Sequence, residues 1–333
     1  MRDDDASRAA RTAGAIGATR VAVVLPCYNE EAAIAATVAG FRAALPGATI
    51  YVYDNNSRDR TVEVARAAGA VVRTERVQGK GAVVRRMFAD VDADVYVMAD
   101  GDATYDAASA PAMVARLVEE RLDMVVGSRI GTAQAAYRRG HRFGNALLTG
   151  MLARLFGRSF TDILSGYRVF SRRFVKSYPA LSTGFEIETD ISVHALELRM
   201  PVAEVQTPYF ERPEGSVSKL STYADGWRIT RTIATLYRIE RPLLFFGSMG
   251  AAFAFLAVLL SLPLVGTYWR TGLVPRFPTA VLATGLMILA FLSWFAGLIL
   301  DTVVRGRREV RRLAYLALPA PGYERRGARG GGA

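Results

Sequence analysis

Two carboxylates separated by one glycine, Asp100-Gly101-Asp102, follow the apolar run Val95–Met98. On a turn that glycine permits, such a pair can address one hard cation, and Mg2+ prefers a few carboxylates together with phosphate oxygens. Asp92 and Asp94 flank the other end of that run and read as solvated loop carboxylates. The stretch Gln78-Gly79-Lys80-Gly81 opens a helical pattern and could bring Lys80 and the first helical amides near a phosphate. It lacks the full phosphate-loop spacing, so nucleotide hydrolysis is not expected. Asp54 closes another apolar run, and Ser128 with Arg129 follows a third. The two histidines, His141 and His194, read as structural or surface residues.

The elements that must position these groups alternate. Val21–Leu25, Ile50–Tyr53, Val71–Val72, Val95–Met98 and Met124–Val126 read as strands, and Thr61–Ala68, Gly81–Val91 and Ala108–Glu120 as helices. Asn29 can cap a further helix with Ile34, Val38 and Phe41 on its apolar face. Such alternation predicts an α/β fold: a parallel sheet with helices on both faces, binding its ligands beyond the C-terminal strand ends. Asp54, Asp100 with Asp102, and Ser128 with Arg129 all fall there. A shared site explains three clusters in register better than three unrelated turns do.

The chain has 333 residues, 51% of them hydrophobic and 22% charged, which allows two or three domains and excludes a disordered protein. Cys27 is its one cysteine, which excludes a disulfide scaffold. The formal charge of +11 suits nucleic acid, anionic lipid or a phosphorylated substrate. Only three of the 42 basic residues are lysines: Lys80, Lys176 and Lys219. Two runs, Leu243–Val265 and Pro278–Leu300, each hold 23 residues without a charge, enough to span a membrane. Arginines gather outside both runs, at 228–241 and 305–312. The positive-inside rule therefore predicts a hairpin with both outer flanks cytoplasmic. This distribution favours lipid, and no nucleic acid is expected. Residues 140–157 mix apolar and basic positions, which fits either a helix at an anionic membrane surface or a core-packed helix. The expected organisation is a flexible arm over 1–19 without a secretory signal, a cytoplasmic α/β domain over 20–222, a juxtamembrane helix over 223–242, two transmembrane helices over 243–300, and a basic cytoplasmic tail over 301–333.

Four segments, Val-Val-Leu-Pro-Cys-Tyr-Asn-Glu (23–30), Tyr-Asp-Asn-Asn-Ser-Arg-Asp-Arg-Thr (53–61), Gln-Gly-Lys-Gly (78–81) and Asp-Gly-Asp (100–102), together resemble glycosyltransferase family 2. Three later ones, Asp162-Ile-Leu-Ser-Gly-Tyr-Arg168, Gly184-Phe-Glu-Ile-Glu188 and Arg212-Pro-Glu-Gly-Ser-Val-Ser-Lys219, resemble its dolichol-phosphate mannose synthase and polyprenyl-phosphate glycosyltransferase group. The resemblance covers about residues 20–300. It implies a GT-A (Rossmann-like) nucleotide-sugar domain, with Pro26, Tyr28 and Glu30 lining the nucleotide pocket and Asp54 facing the base. It implies that Asp100 and Asp102 hold Mg2+ or Mn2+ on the donor diphosphate, with Lys80 and Arg129 adding positive charge. Arg212, Ser218 and Lys219 would lie on a loop closing over the phosphates, and Asp162 and Glu188 would orient. The chain departs from the family where Asp54-Asn55-Asn56 replaces a common Asp-Asp-Gly. It departs again at Thr104, where many relatives carry Gln, so a third protein ligand for the metal is not implied, and Asp106 is only a candidate substitute.

The implied reaction moves a hexose from a nucleotide sugar, UDP-linked in preference to GDP-linked, to undecaprenyl, decaprenyl or dolichyl phosphate. Phosphate monoesters are largely ionised at neutral pH, so no strong general base is needed. Two anions must instead be brought together, and Arg129, Arg168, Arg212 and Lys219 would screen them with the metal during one in-line, inverting displacement. A polysaccharide or glycolipid acceptor is the enzymatic alternative, although the Gln-x-x-Arg-Trp motif of processive synthases is absent. A non-catalytic membrane scaffold is the other, against which stand the intact Asp100, Asp102, Lys80 and Lys219. The expected location is the cell inner membrane, with homo-oligomerisation left open.

Overall fold

The computed structural model describes residues 19–130, 150, 160–180, 187–211, 235 and 237–322. The elements run β1 (Val21–Cys27), α1 (Ile34–Ala44), β2 (Thr49–Asp54), α2 (Thr61–Ala67), β3 (Val71–Thr74), α3 (Lys80–Asp90), β4 (Val95–Met98), a 3-10 turn (Ala107–Ser109), α4 (Ala110–Glu119), β5 (Met124–Ile130), β6 (Arg168–Ser171), α5 (Arg172–Ser177), α6 (Ile187–Glu197), β7 (Val202–Pro208), α7 (Pro242–Thr271) and α8 (Phe277–Leu316). Two compact units result: one holds the chain through Gly226 and again from Arg311, the other Trp227–Val310.

In the first unit the strands form one sheet in the order β3-β2-β1-β4-β6-β5-β7. β1 is buried along its whole length, as its unbroken apolar run requires of a strand covered on both faces. Ile34, Val38 and Phe41 lie buried on one side of α1, as their spacing predicts. The helix does not start from an Asn29 cap. Asn29 sits at φ +53° and its Oδ1 accepts from the Arg58 amide at 2.8 Å, while the carbonyl of Glu30 accepts the amides of Ala33 and Ile34. A short polar side chain tolerates the left-handed conformation and serves a neighbouring loop instead.

The sheet is mixed rather than wholly parallel. β6 runs antiparallel between β4 and β5, which are therefore not neighbours. Four residues, Arg-Val-Phe-Ser, are all buried there, which leaves no alternation for a reader to detect.

The second unit holds α7 and all of α8 up to Val310; the two helices have 30 and 40 residues, with apolar windows of mean hydropathy 2.3 and 2.1. Both are long and apolar enough to cross a membrane. Their seam is made of small residues: Ala257, Ala283, Ala290 and Ser293 are buried. A Cβ at Gly250 would lie 2.8 Å from the Ala290 carbonyl, and Trp294 Nε1 donates to the Gly247 carbonyl at 3.1 Å. Close backbone approach of this kind is how apolar helices associate without a hydrophobic driving force. Arg308 meets Glu240 at 2.9 Å.

The expected tail from 301 is instead helical as far as Leu316. Arg311 pairs with the buried Glu197 at 2.6 Å, and Tyr315 donates to Asp123 at 2.8 Å. Two buried carboxylates thus find partners in residues that composition alone marks as a basic tail.

Candidate active site

Strand register brings the acidic groups to one edge. Cys27 lies level with Asp54 across β1 and β2, and Met98 of β4 level with Val24 and Arg168. Asp54, Asp100 and Asp102 therefore emerge together where β1, β2 and β4 end. The lone cysteine registers the crowding: burial first, then the charges of Glu30, Asp100, Asp54 and Asp102, push the Cys27 thiol well up. A Cβ at Gly101 would collide with Cys27 Sγ, so the residue between the two carboxylates must be glycine for space.

Asp102 is buried, and its Oδ1 accepts from Thr104 Oγ1 at 2.6 Å and the Thr104 amide at 3.3 Å. Thr104 therefore orients this carboxylate. Asp106 does not stand in as a third ligand: its oxygens accept from the Ala108 amide at 3.2 Å and from Ser109 Oγ at 2.7 Å, capping the 3-10 turn. Asp100 Oδ1 lies 2.5 Å from Lys80 Nζ, which also meets Glu188 Oε1 at 2.6 Å. Burial would lower the pKa of this ammonium, but the charges of Asp100 and then Glu188 outweigh it and raise it, so Lys80 stays charged.

The loop before Lys80 is fixed by Asn55. Its Oδ1 accepts from the Gly79 amide at 2.7 Å, and its Nδ2 donates to the carbonyls of Glu75 at 2.9 Å and Val77 at 2.8 Å. A carboxylate has no donor for those carbonyls, so the departure from Asp-Asp-Gly has a structural use. Gly79 at φ +132° starts α3 with Lys80 as its first residue. On the far side the Gly166 amide donates to Tyr105 Oη at 2.9 Å. A Cβ at Gly166 would lie 2.9 Å from Asp100 Oδ2 and 3.3 Å from Lys80 Nζ. The glycine of the Ser-Gly-Tyr-Arg segment thus walls the Asp100–Lys80 pair, and Tyr105, which no motif in the sequence singles out, closes the same side.

Other expected residues have found partners within the chain. Arg129 pairs bidentately with Asp162, Nε to Oδ2 at 2.7 Å and Nη2 to Oδ1 at 2.8 Å, and lies over the Tyr209 ring at 5.4 Å. Ser128 Oγ donates to the Val205 carbonyl at 3.4 Å. Asp54 is buried and accepts from the Ser57 amide at 3.2 Å. Glu30 is buried beyond the end of β1, with its amide donating to Thr61 Oγ1 at 2.8 Å, and Pro26 and Tyr28 flank the same end.

Arg168 corrects the expectation of a phosphate-screening arginine. It is fully buried, and its guanidinium donates to the carbonyls of Ser165 and Ile163 at 2.9 and 2.5 Å and to Ser192 Oγ at 2.9 Å. Burial lowers its pKa to about 10. This arginine braces the turn before β6, its guanidinium held buried between the Ile163 and Ser165 carbonyls and Ser192 of α6.

Asp92 and Asp94 pair with Arg20 and Arg172 at the opposite edge, exposed as expected. His194 is buried against Ser177, a structural residue. Arg212, Ser218, Lys219, His141 and the 140–149 and 151–157 stretches lie outside the described residues, as does most of 223–242.

Asp100 and Glu188 on Lys80, with Asp102 close to Asp100 in sequence, supply hard oxygen donors of the kind a divalent cation such as Mg2+ or Mn2+ takes. Among the described residues no group of three or more His, Cys, Asp or Glu side chains forms a metal cage. Further ligands would have to come with a phosphate-bearing substrate.

A GT-A domain whose strands end in this acidic edge defines a nucleotide-sugar transferase, and residues 22–178 match Glycosyl transferase family 2. Glycosyltransferase AglJ of Haloferax volcanii is 33% identical over 292 residues, 87% of this chain and 95% of that protein. The chain belongs to glycosyltransferase family 2. The dolichyl-phosphate hexose transferase of the same organism is 31% identical over 222 residues, covering 66% of this chain and 95% of that one. Among solved structures, glucosyl-3-phosphoglycerate synthase from Mycobacterium tuberculosis, in complex with Mn2+, UDP and phosphoglyceric acid, superposes with a TM-score of 0.54 at 25% identity, over 68% of this chain and 80% of that one.

Proposed function

We propose that this enzyme transfers a hexose from a nucleoside-diphosphate sugar to a polyprenyl phosphate at a membrane surface. The observation that carries the reading is the joining, on one chain, of the acidic transferase edge to two helices of membrane-crossing length. A water-soluble acceptor would give those helices no task. The relative named for dolichyl phosphate supports the same acceptor class.

Asp54, Glu30, Tyr28 and Pro26 border the nucleotide end of the edge, and a carboxylate there accepts from a ring N–H of uracil or guanine. Asp100 and Asp102 would hold Mg2+ or Mn2+, which when bound neutralises charge on the leaving diphosphate. Lys80, rigidly seated at the start of α3, supplies a fixed positive charge beside the phosphates without reorganisation. Arg129, oriented by Asp162, is a second cation near that edge, and Arg212, Ser218 and Lys219 are assigned the closing loop. The acceptor phosphate arrives ionised, so the residues have repulsion to overcome rather than a proton to remove. Displacement in one step inverts the anomeric carbon. UDP is the preferred donor nucleotide, and the inner membrane, with the sheet-bearing unit cytoplasmic, is the assigned location.

The test is transfer by purified protein in detergent, offered undecaprenyl, decaprenyl or dolichyl phosphate and a panel of labelled UDP- and GDP-sugars. A labelled, alkali-stable lipid phosphate sugar is the expected product. Transfer only to a glycolipid or polysaccharide would replace the acceptor, and no transfer to any acceptor would remove the enzymatic reading.

A further inference from the structure

Lys80 is held by two anions whose surroundings differ. Its Nζ lies 2.5 Å from Asp100 and 2.6 Å from Glu188, with side-chain exposures of 12%, 29% and 7% for Lys80, Asp100 and Glu188. Asp100 comes from the turn after β4, at the solvent-reached side of the edge. Glu188 lies on the first turn of α6 and is closed in. Space around the ammonium is restricted by backbone: Gly166 leaves no room for even a methyl group between itself, Asp100 and Lys80, and Tyr105 Oη is fixed by the Gly166 amide.

A cation binding to Asp100 must compete with the ammonium already there. Lys80 cannot be left unpaired in so closed a place, because an isolated buried charge is costly. It cannot swing to solvent either, with its side chain 12% exposed and its loop fixed through Asn55 and Gly79. Glu188 is the anion already within contact distance. We infer that Glu188 is a positioning residue that holds Lys80 while Asp100 changes partner from the ammonium to a divalent cation. This rests on the reading that Asp100 takes such a cation. Without Glu188, Lys80 has Asp100 alone and blocks it.

An action of Glu188 through Lys80 differs in its dependence on Lys80 from a direct attraction between Glu188 and the metal. Direct attraction, or a general role in folding, acts equally whether or not Lys80 is present. Action through Lys80 disappears when Lys80 does.

The experiment is a double-mutant cycle on the full chain in detergent, titrated with Mn2+ at a fixed concentration of UDP and followed by loss of the free-ion electron paramagnetic resonance signal beyond that caused by UDP without protein. Glu188→Gln should weaken Mn2+ binding by about tenfold, a coupling of ordinary size for residues in one ion-pair network. In the Lys80→Met background, the same substitution should change binding by less than about twofold. Lys80→Met alone should bind Mn2+ more tightly than wild type, and this arm stands even if Glu188→Gln fails to fold. An equal effect of Glu188→Gln in both backgrounds, or weaker binding by Lys80→Met, overturns the inference while leaving the metal reading intact. Failure of the wild-type chain to bind Mn2+ overturns both.

Discussion

Asp100 and Asp123 are both aspartates paired with a cationic side chain, one beyond the end of β4 and the other before the start of β5, at opposite ends of the sheet. Asp123 is completely buried, and its two oxygens accept from Ser171 Oγ at 2.7 Å, Arg173 Nε at 2.5 Å and Nη2 at 2.8 Å, and Tyr315 Oη at 2.8 Å. Arg173 in turn lies over the Tyr315 ring at 4.7 Å. Every donor there comes from the chain, and the result is a brace. Asp100 keeps 29% of its side chain exposed and meets a lysine that has a second anion. The difference teaches that an ion pair does chemistry when one partner has an alternative, and holds structure when neither has.

Substitutions at the two ends should separate those roles. The largest expected effect is at the open end: Asp102→Asn should lower kcat by about a thousandfold, near the upper range for removal of one charge-stabilising group, with an unchanged circular dichroism spectrum. Near-normal turnover by that variant in chelator would erase the functional half of the comparison. At the closed end, Asp123→Ala should cost about 3–5 kcal/mol of stability, as when one partner of a buried pair is removed, read as a fall in Tm. Turnover of the protein that remains folded should be preserved.

Gly101→Ala tests whether the open end also depends on packing. Collision with Cys27 Sγ should cost about 1–3 kcal/mol, and Cys27→Ala in the same chain should restore much of it, since the next contact is Ile34 Cδ1 at 3.3 Å. No recovery in thermal unfolding would mean that the glycine is needed for another reason.

Near neutral pH the smallest effect belongs to His194, whose pKa burial, and then the charge of Arg311, lower to about 3. Between about 6.5 and 3 the unfolded chain binds a proton there that the folded one refuses. Stability should therefore fall as pH falls through that window, by at most about 1.4 kcal/mol per pH unit from this group. His194→Phe should flatten that part of the pH dependence of Tm, and an unchanged slope would assign it to other groups.

Much of the open end was legible because its chemistry follows strands. Asp54, Asp100 and Asp102 each close an apolar run, and strand ends in α/β sheets gather ligands. Lys80 was visible from its glycines. The closed end was not legible, since Asp123 follows an ordinary helix terminus and its partner Tyr315 lies 192 residues away. Arg168 was misread for a related reason: a motif shows which side chains recur together, but not which of them the pleat turns inward. β6 escaped because it has no outward face to alternate with, and Asn55 reads as a lapse from a pattern because its four side-chain hydrogen bonds reach residues 20 to 24 positions away.

The contacts of Arg311 and Tyr315 carry a topological consequence. The chain leaves the sheet-bearing unit after Gly226 and rejoins it at Arg311, so any bilayer it traverses in between must be crossed an even number of times. α7 and α8, with 30 and 40 residues, extend about 45 and 60 Å at the helical rise, which is ample for one crossing each. Parity thus rules out a single crossing without reference to the charge of any flank. Reporters fused to the two termini are expected to share a compartment, because a tyrosine hydroxyl on one side of a membrane cannot donate to an aspartate on the other.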